Sequence, residues 1–414
     1  MSSGPIALFD KSFIQSLSVD ESVWFDNFYL PVVCPIFYAE TLADLSKDTK
    51  GKRHPEEEVK RIAEKFPEMG GTPCLGHHEL CLGNLHGHHL PMNGQIVVPG
   101  GRPILDRGKT GFVIDKFSEV EAFNRWQQQD FHYIEQNFAR FWRHSVTTLD
   151  LKEQAKIFQS LGITGKTCKT LADAKNLADT LLAAMSAHNQ MKLAVHFFGI
   201  AREYHQSIMR NWAMMNYQPI HVYAPYAAFV LGIELFFQVA IAANLISTDR
   251  PSNRIDISYL FYLPFCMMFV SSDKLHMKCA PLFLREDQSF VWGQDLKKDL
   301  SLLNKRYMDL PDKIKELGVL SFAHTPPNDD DFLTSQLWDR HMGADWRTGD
   351  EIVDKMPEKN EKLVEMMNKI KELPTIHPEK IDYDDINSMT LSRYLKKRKG
   401  SWYQINKDIE SEKS

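Results

Sequence analysis

Two short apolar segments, far apart in the sequence, each lead into hydroxyl residues and an aspartate. Residues 6–9 precede the segment 10–12, Asp-Lys-Ser, and residues 267–270 precede the segment 271–273, Ser-Ser-Asp. Apolar runs of this length predict strands that are buried within a parallel sheet. In α/β proteins, ligands bind in the crevice beyond the carboxyl ends of such strands. The sequence therefore predicts that the two aspartates lie beside a binding site.

Strands and helices alternate at both ends of the chain. The sequence predicts strands at residues 6–10, 32–38 and 267–272. A helical pattern opens at Glu40, and a further helix is predicted at 294–307. This alternation predicts an α/β fold, in which helices flank a parallel sheet core.

A helical block separates the two ends. Apolar side chains recur every three to five residues from 118 to about 212, as expected for amphipathic helices. The aromatic residues at 123–142 predict one long helix, and further helices are predicted at 150–161, 170–188 and 190–214. We therefore expect an all-helical insertion in the α/β core.

These patterns divide the chain into three parts. We expect a discontinuous α/β core at 1–50 and 220–305, and a His/Gly-rich loop with the helical insertion at 51–219. The remainder, 306–414, reads as a charged C-terminal arm that we expect to be partly flexible. Residues 393–402 form its clearest basic patch, which predicts either contact with a nucleic-acid backbone or a solvated helix end.

Composition limits the class of protein. Hydrophobic residues make up 43% of the chain and charged residues 25%, as in an ordinary globular protein. The net charge of −5 excludes a nucleic-acid clamp over the whole surface but allows a local basic patch. Six scattered cysteines, with no secretory signal at the start of the sequence, predict a cytoplasmic location.

Residues 226–246 form an apolar stretch long enough to span a bilayer. Glu234, Gln238 and Asn244 interrupt the stretch, and no cluster of Lys and Arg flanks it. The sequence therefore predicts a buried core helix at this position and no association with a membrane.

Further acids accompany the two aspartates that end the strands. Glu40 and Asp44 are four residues apart, which places them on one face of a helix. Asn253 or Asp256 is predicted to cap a helix at 256–263, which Pro264 stops. Hard carboxylate ligands of this kind suit Mg²⁺ or Mn²⁺. Acids at helix starts also complement helix dipoles, so an ordinary structural role for these three stays open.

Three segments resemble the PIN-like nuclease domains. Residues 6–12 resemble the opening strand and Asp-x-Ser/Thr motif of that family, and 35–45 resemble its second strand and acid-bearing helix. Residues 256–273 are similar to its closing helix, strand and Ser/Thr-x-Asp motif. The resemblance implies metal-binding catalytic acids at Asp10, Glu40, Asp256 and Asp273, supported by Ser12, Asp44 and Ser271.

The resemblance also implies an activity. We expect a Mg²⁺- or Mn²⁺-dependent endonuclease that cleaves phosphodiesters in nucleic acid, RNA in preference to DNA. The helical insertion offers a surface for a protein partner. A hypothesis of a different class is a non-catalytic interaction protein on a degenerate nuclease fold, with the insertion docking its partner. Clustering of the acids favours the enzyme, and acids that point apart favour the interaction protein.

A second group of metal-ligand residues lies in the His/Gly-rich loop. Cys74, His77, His78 and Cys81 supply nitrogen and sulfur ligands of the kinds that Zn²⁺ prefers. Their spacing does not match a paired-ligand zinc pattern. A zinc site, a loop that contacts phosphates and an ordinary structured loop all stay open.

Overall fold

The computed structural model describes residues 4–47, 54–98, 100–106, 109–113, 117–348, 369, 372–377 and 396–408. Its centre is a five-stranded parallel sheet, accompanied by two short antiparallel hairpins. The strands are β1 Ile6–Phe9, β2 Leu30–Val33, β3 Thr72–Pro73, β4 Arg102–Asp106, β5 Lys109–Val113, β6 Met268–Ser271, β7 Ser289–Trp292, β8 Arg398–Lys399 and β9 Trp402–Tyr403. The chain is therefore α/β, as the sequence predicts.

The order of the strands locates a crevice. In the sheet the order is β3-β2-β1-β6-β7, so the chain moves outward from β1 on one side and returns to its other side at β6. Phe9 of β1 lies opposite Val270 of β6. Adjacent parallel strands whose connections leave in opposite directions form a topological switch point, where open α/β sheets bind ligands. The residues that follow these two strands, from Asp10 and from Ser271 onward, lie at this point.

Helices surround the sheet. They are α1 Lys11–Ser16, α2 Val19–Phe28, α3 Pro35–Ala43, α4 Pro55–Ala63, α5 His77–Leu85, α6 Ser118–Gln127, α7 Tyr133–Thr147, α8 Leu151–Ser160, α9 Leu171–Ala184, α10 Ala187–Phe197, α11 Arg202–Met214, α12 Ile220–Tyr223, α13 Pro225–Ala242, α14 Asn253–Ser258, α15 Lys274–Cys279, α16 Gly293–Met308, α17 Asp312–Lys315, α18 Val319–Phe322 and α19 Leu333–Met342. Short 3₁₀ segments span Asp44–Ser46, Tyr259–Phe265, Ala280–Leu282 and Ala344–Thr348. The predicted helix at 294–307 corresponds to α16.

The predicted strand at 32–38 is wrong in its second half. Strand β2 ends at Val33, and Pro35 occupies the first turn of α3. Proline is favoured there because its fixed φ suits a helix and its missing N–H leaves no helical hydrogen bond unmade. Glu40 consequently lies inside α3 rather than at its start, and Asp44 follows the helix at its C-cap.

Several predicted helices are divided. The long helix at 123–142 is two helices, α6 and α7, because the chain turns at Gln129, whose φ is 57°. The carboxylate of Glu135 then accepts the backbone N–H of His132 at 2.7 Å at the start of α7. The helix predicted at 170–188 ends at Ala184, and the one at 190–214 breaks at Gly199, whose φ is 58°.

The helix predicted at 256–263 begins earlier and ends later than expected. Helix α14 starts at Asn253, so neither Asn253 nor Asp256 is its cap. A 3₁₀ segment continues from Tyr259 to Phe265 with Pro264 inside it, so this proline does not stop the helix. Cys266 and Met267 connect this segment to β6.

Helix α13 covers most of the apolar stretch 226–246 and ends at Ala242, just before Asn244, whose φ is 59°. Most of its side chains are buried, and it packs against α5, α8 and α9. Among the described residues it is the one helix long and apolar enough to cross a membrane, a test that buried core helices also pass.

The end of the C-terminal arm packs on the core. The β8–β9 hairpin buries Lys399, whose ammonium group donates to the carbonyl of Phe66 at 2.5 Å. Lys396 forms an ion pair with the buried Glu68 at 2.7 Å. These two lysines of the predicted basic patch therefore bind the protein itself. Residues 393–395 of the patch lie outside the described residues.

Replacing Trp402 with alanine should destabilise the protein strongly. Its indole is 1% exposed, lies 4.8 Å from that of Trp24 and donates to Asn304 at 2.8 Å. We expect Trp402→Ala to lower the free energy of unfolding in urea by about 3–5 kcal/mol. Tyr403→Ala, at a half-exposed position beside it, should change the same quantity by less than about 1.5 kcal/mol. Equal effects of the two variants would contradict the docking of the hairpin.

Candidate functional site

Asp10 is fixed by hydrogen bonds at the carboxyl end of β1. Its side chain is 3% exposed and caps α1 by accepting the backbone N–H of Phe13 at 3.0 Å. The hydroxyls of Ser12 and Ser271 donate to its other oxygen at 2.7 and 2.8 Å. Ser271 comes from β6, so this carboxylate joins the two strands that flank the switch point.

His276, in α15, lies at the centre of the site. Its Nδ1 is 2.8 Å from the hydroxyl of Ser271 and 3.4 Å from the carboxylate of Asp10. Its Nε2 is 2.7 Å from the backbone carbonyl of Asp256, which can only accept a hydrogen bond. Because the Ser271 hydroxyl donates its one proton to Asp10, Nδ1 also faces an acceptor. With the Ser271 proton on Asp10, both ring nitrogens donate, so these contacts favour an imidazolium at His276.

The ionisation of this pair follows from the same contacts. Burial by itself would lower the pKa of His276, but the hydrogen bond and charge of Asp10, with the charge of Asp256, raise it to about 9. Burial raises the pKa of Asp10, yet His276, Ser12 and Phe13 outweigh burial and lower it overall. A histidine pKa raised above its unfolded value contributes stability below about pH 6.5 that is lost as pH rises through about 9.

Glu40 approaches the site from α3. Its carboxylate accepts the hydroxyl proton of the buried Tyr259 at 2.6 Å. Burial raises its pKa, against the opposing effects of Lys11 and of that hydrogen bond. Lys11 donates to the backbone carbonyl of Glu40 at 2.9 Å and pairs with Asp44 at 2.6 Å. Asp44 is therefore part of an ion pair at the edge of the site.

Asp256 and Asp273 complete the acidic group. The backbone N–H of Leu275 donates to Asp273 at 2.6 Å, because Asp273 caps α15. In the described chain, the carboxylate of Asp256 has no hydrogen bond or ion pair. Burial raises its pKa to about 7, His276 opposes this, and the charges of Glu40, Asp273 and Asp10 raise it further. The four acids thus interact electrostatically.

The arrangement falls short of a formed metal site. Within the described residues, no group of three or more His, Cys, Asp or Glu side chains is placed to hold a metal ion. Hydrogen bonds occupy three of the roughly four acceptor positions of Asp10. The unpartnered carboxylate of Asp256 and the half-exposed Asp273 retain free oxygen acceptors, which is the ligand type that Mg²⁺ and Mn²⁺ prefer.

A cleft of about 290 Å³ opens beside the acids. Glu40, Lys11 and Asp44 form one wall. The opposite walls come from α7 and from the segment 251–255 that leads into α14. The cleft therefore links the helical insertion to the acidic group.

Among the described residues, no three side chains of the His/Cys loop are placed to hold a metal ion. Cys74 is buried after β3, and Cys81 is buried in α5. His77 packs on Phe261, and burial, with Arg254 and His78, lowers its pKa to about 4. A zinc site here stays a prediction.

Glu234 has a structural partner. It lies in α13, is 5% exposed and accepts from Arg254 at 2.5 Å. Burial raises its pKa, and Arg254 opposes that increase.

Sequence reasoning missed two residues that organise the site. His276 comes three residues after Asp273, within the first turn of α15, and Tyr259 follows Asp256 by the same interval. One turn of helix separates each pair, so each follower lies near its acid. The three-residue spacing is the sequence signal for these two residues. It is weak, because histidine and tyrosine often follow an acid by three residues in helices without any role in a site.

The charge of His276 can be measured directly. We expect both ring nitrogens of His276 to carry protons at pH 7 in the metal-free protein, with a midpoint of titration near 9. Nitrogen-15 NMR of the histidine side chains reports this, and His276→Gln identifies the signal. His78, exposed in the same chain, provides the comparison. A neutral His276 ring at pH 7 would contradict the donor assignment at both nitrogens.

Comparisons with known proteins do not extend these observations. No protein-family model, curated protein or solved structure matches the chain.

Proposed function

We propose that this protein is a PIN-like, metal-dependent endonuclease that cleaves phosphodiesters in nucleic acid, RNA in preference to DNA. One observation carries the proposal. Acids from four separate segments interact at the switch point of a parallel sheet, and one of them, Asp256, has a carboxylate without a partner among the described residues. Open α/β sheets bind their ligands at this place.

The carboxylate oxygens of these acids are of the ligand type that suits a hard divalent cation. Like charges held close together in a partly buried site repel one another, and a bound cation relieves that repulsion. Asp10, Glu40, Asp256 and Asp273 would hold Mg²⁺ or Mn²⁺. When bound, such an ion lowers the pKa of a water molecule and neutralises charge that develops on the phosphodiester.

Hydrogen bonds from neighbouring groups hold three of the four acids in place. Ser12 and Ser271 orient Asp10, and the backbone of α15 orients Asp273. Tyr259 holds Glu40 in place. These hydrogen bonds fix each of the three acids individually, and the carboxylates would still have to move closer together to hold an ion. His276 contributes a fixed positive charge behind Asp10, which keeps that carboxylate ionised.

The second candidate is a non-catalytic interaction protein on the same fold. The observation that favours it is His276, since its imidazolium already supplies a positive charge within the acidic group. A site that is neutralised internally has less need of a metal ion. Nuclease assays separate the two candidates.

The first test is cleavage of labelled single-stranded RNA and DNA by the full-length protein in Mn²⁺, Mg²⁺ or EDTA. We expect cutting that requires the metal and that falls at least about 100-fold in Asp273→Asn and Asp256→Asn, because each change removes a charged ligand. Asparagine retains the shape of aspartate and can still accept the N–H of Leu275, so Asp273→Asn should stay folded.

Asp179→Asn is the matched control, because Asp179 lies on α9 and, among the residues that the structure describes, forms its ion pair with Lys175 of the same helix. It should cut as well as the unmodified protein. Cutting by Asp273→Asn at the unmodified rate would contradict the proposed site. The absence of cutting with either metal would favour the interaction protein.

A further inference from the structure

The cleft beside the acids has a wall that the nuclease proposal leaves without a role. Helix α7, in the helical insertion, contributes Trp142, Arg143, Val146 and Thr147 to the lining. Glu40 lines the other side and is itself one of the interacting acids. Anything held against α7 in this cleft therefore lies next to the proposed site.

The charges of the cleft are distributed unevenly. Lys11 is neutralised by Asp44 at 2.6 Å. Arg143 is half-exposed, and within the described residues its guanidinium makes no ion pair or hydrogen bond. A free guanidinium at the edge of a cleft matches the planar geometry of a phosphate group, to which it can donate two hydrogen bonds.

Trp142 adds an aromatic surface beside that charge. Its indole is half-exposed and stacks on Phe138, with ring centroids 5.8 Å apart and planes inclined by 28°. This contact supports the ring from one side while it lines the cleft. Supported aromatic rings next to a cation are the usual means by which proteins hold unpaired bases together with their phosphates.

We propose that this cleft is a nucleotide subsite, in which Arg143 binds a phosphate of a single strand and Trp142 stacks with its unpaired base. The inference rests on the proposed nuclease function. In it, helix α7 of the insertion binds the strand in the cleft that Glu40 also lines. Stacking requires an accessible base face, so a double helix does not fit this subsite. RNA and DNA share the chemistry that it recognises.

Binding can be measured apart from cleavage. The full-length protein is titrated in EDTA with fluorescein-labelled 10-nucleotide single strands of uridine or thymidine, and with a duplex of the same length, by fluorescence anisotropy. We expect the single strands to bind, and Trp142→Ala to weaken them roughly 5- to 100-fold, with Trp142→Phe retaining most of the affinity. The duplex should bind more weakly than either single strand.

Arg143 has a distinct signature. Arg143→Ala should weaken binding and also reduce the slope of log affinity against log salt by about 0.7, since it removes one phosphate contact. The matched controls are Arg140→Ala and Phe141→Ala. Both residues are exposed on α7 and neither lines the cleft, so both variants should bind like the unmodified protein.

The outcomes distinguish the subsite from the nuclease. Loss of affinity in the two cleft variants without cutting in Mn²⁺ would support the subsite and contradict the nuclease. Metal-dependent cutting with equal affinity in the cleft variants and their controls would support the nuclease and overturn the subsite. No binding of either single strand, or preference for the duplex, would also overturn the subsite.

Discussion

The buried contact between His276 and Asp10 holds together parts of the chain that are far apart in sequence. Nδ1 of His276 contacts Ser271 and Asp10, and its Nε2 contacts the backbone carbonyl of Asp256 in α14. Removing one partner from such a pair leaves a buried charge uncompensated and typically destabilises a protein by about 3–5 kcal/mol. The pair therefore sets the relative positions of β1, β6 and α14, and with them the positions of the acids.

The positive charge of His276 compensates only part of the negative charge of the acids. A cluster of carboxylates repels itself, and burial makes that repulsion stronger. His276 outweighs it at Asp10 but offsets it only in part at Asp256, whose pKa is still raised to about 7. Charge that the protein leaves uncompensated is characteristic of functional sites, although structural networks also perturb pKa values. The proposed cation would bind near Asp256, where the negative charge is not fully compensated.

Much of this arrangement is visible in the sequence, and the reasons for the rest are physical. The apolar runs before Asp10 and Asp273 predict buried parallel strands, because they are short, of strand length, and end in polar residues. Pattern alone does not separate a strand from the first turn of a helix, which is why Pro35 was misplaced. His276 was missed because its role depends on a partner 266 residues away in the sequence, which only the pairing of β1 with β6 brings near.

The most direct test of the central claim is metal binding itself. Calorimetric titration of the metal-free protein with Mn²⁺ at pH 8, with and without Asp256→Asn, measures it independently of any substrate. We predict saturable binding that Asp256→Asn weakens at least about tenfold, because it removes the one carboxylate of the group that the described protein leaves unpartnered. Binding that is absent, or of equal strength in the variant, would contradict the account.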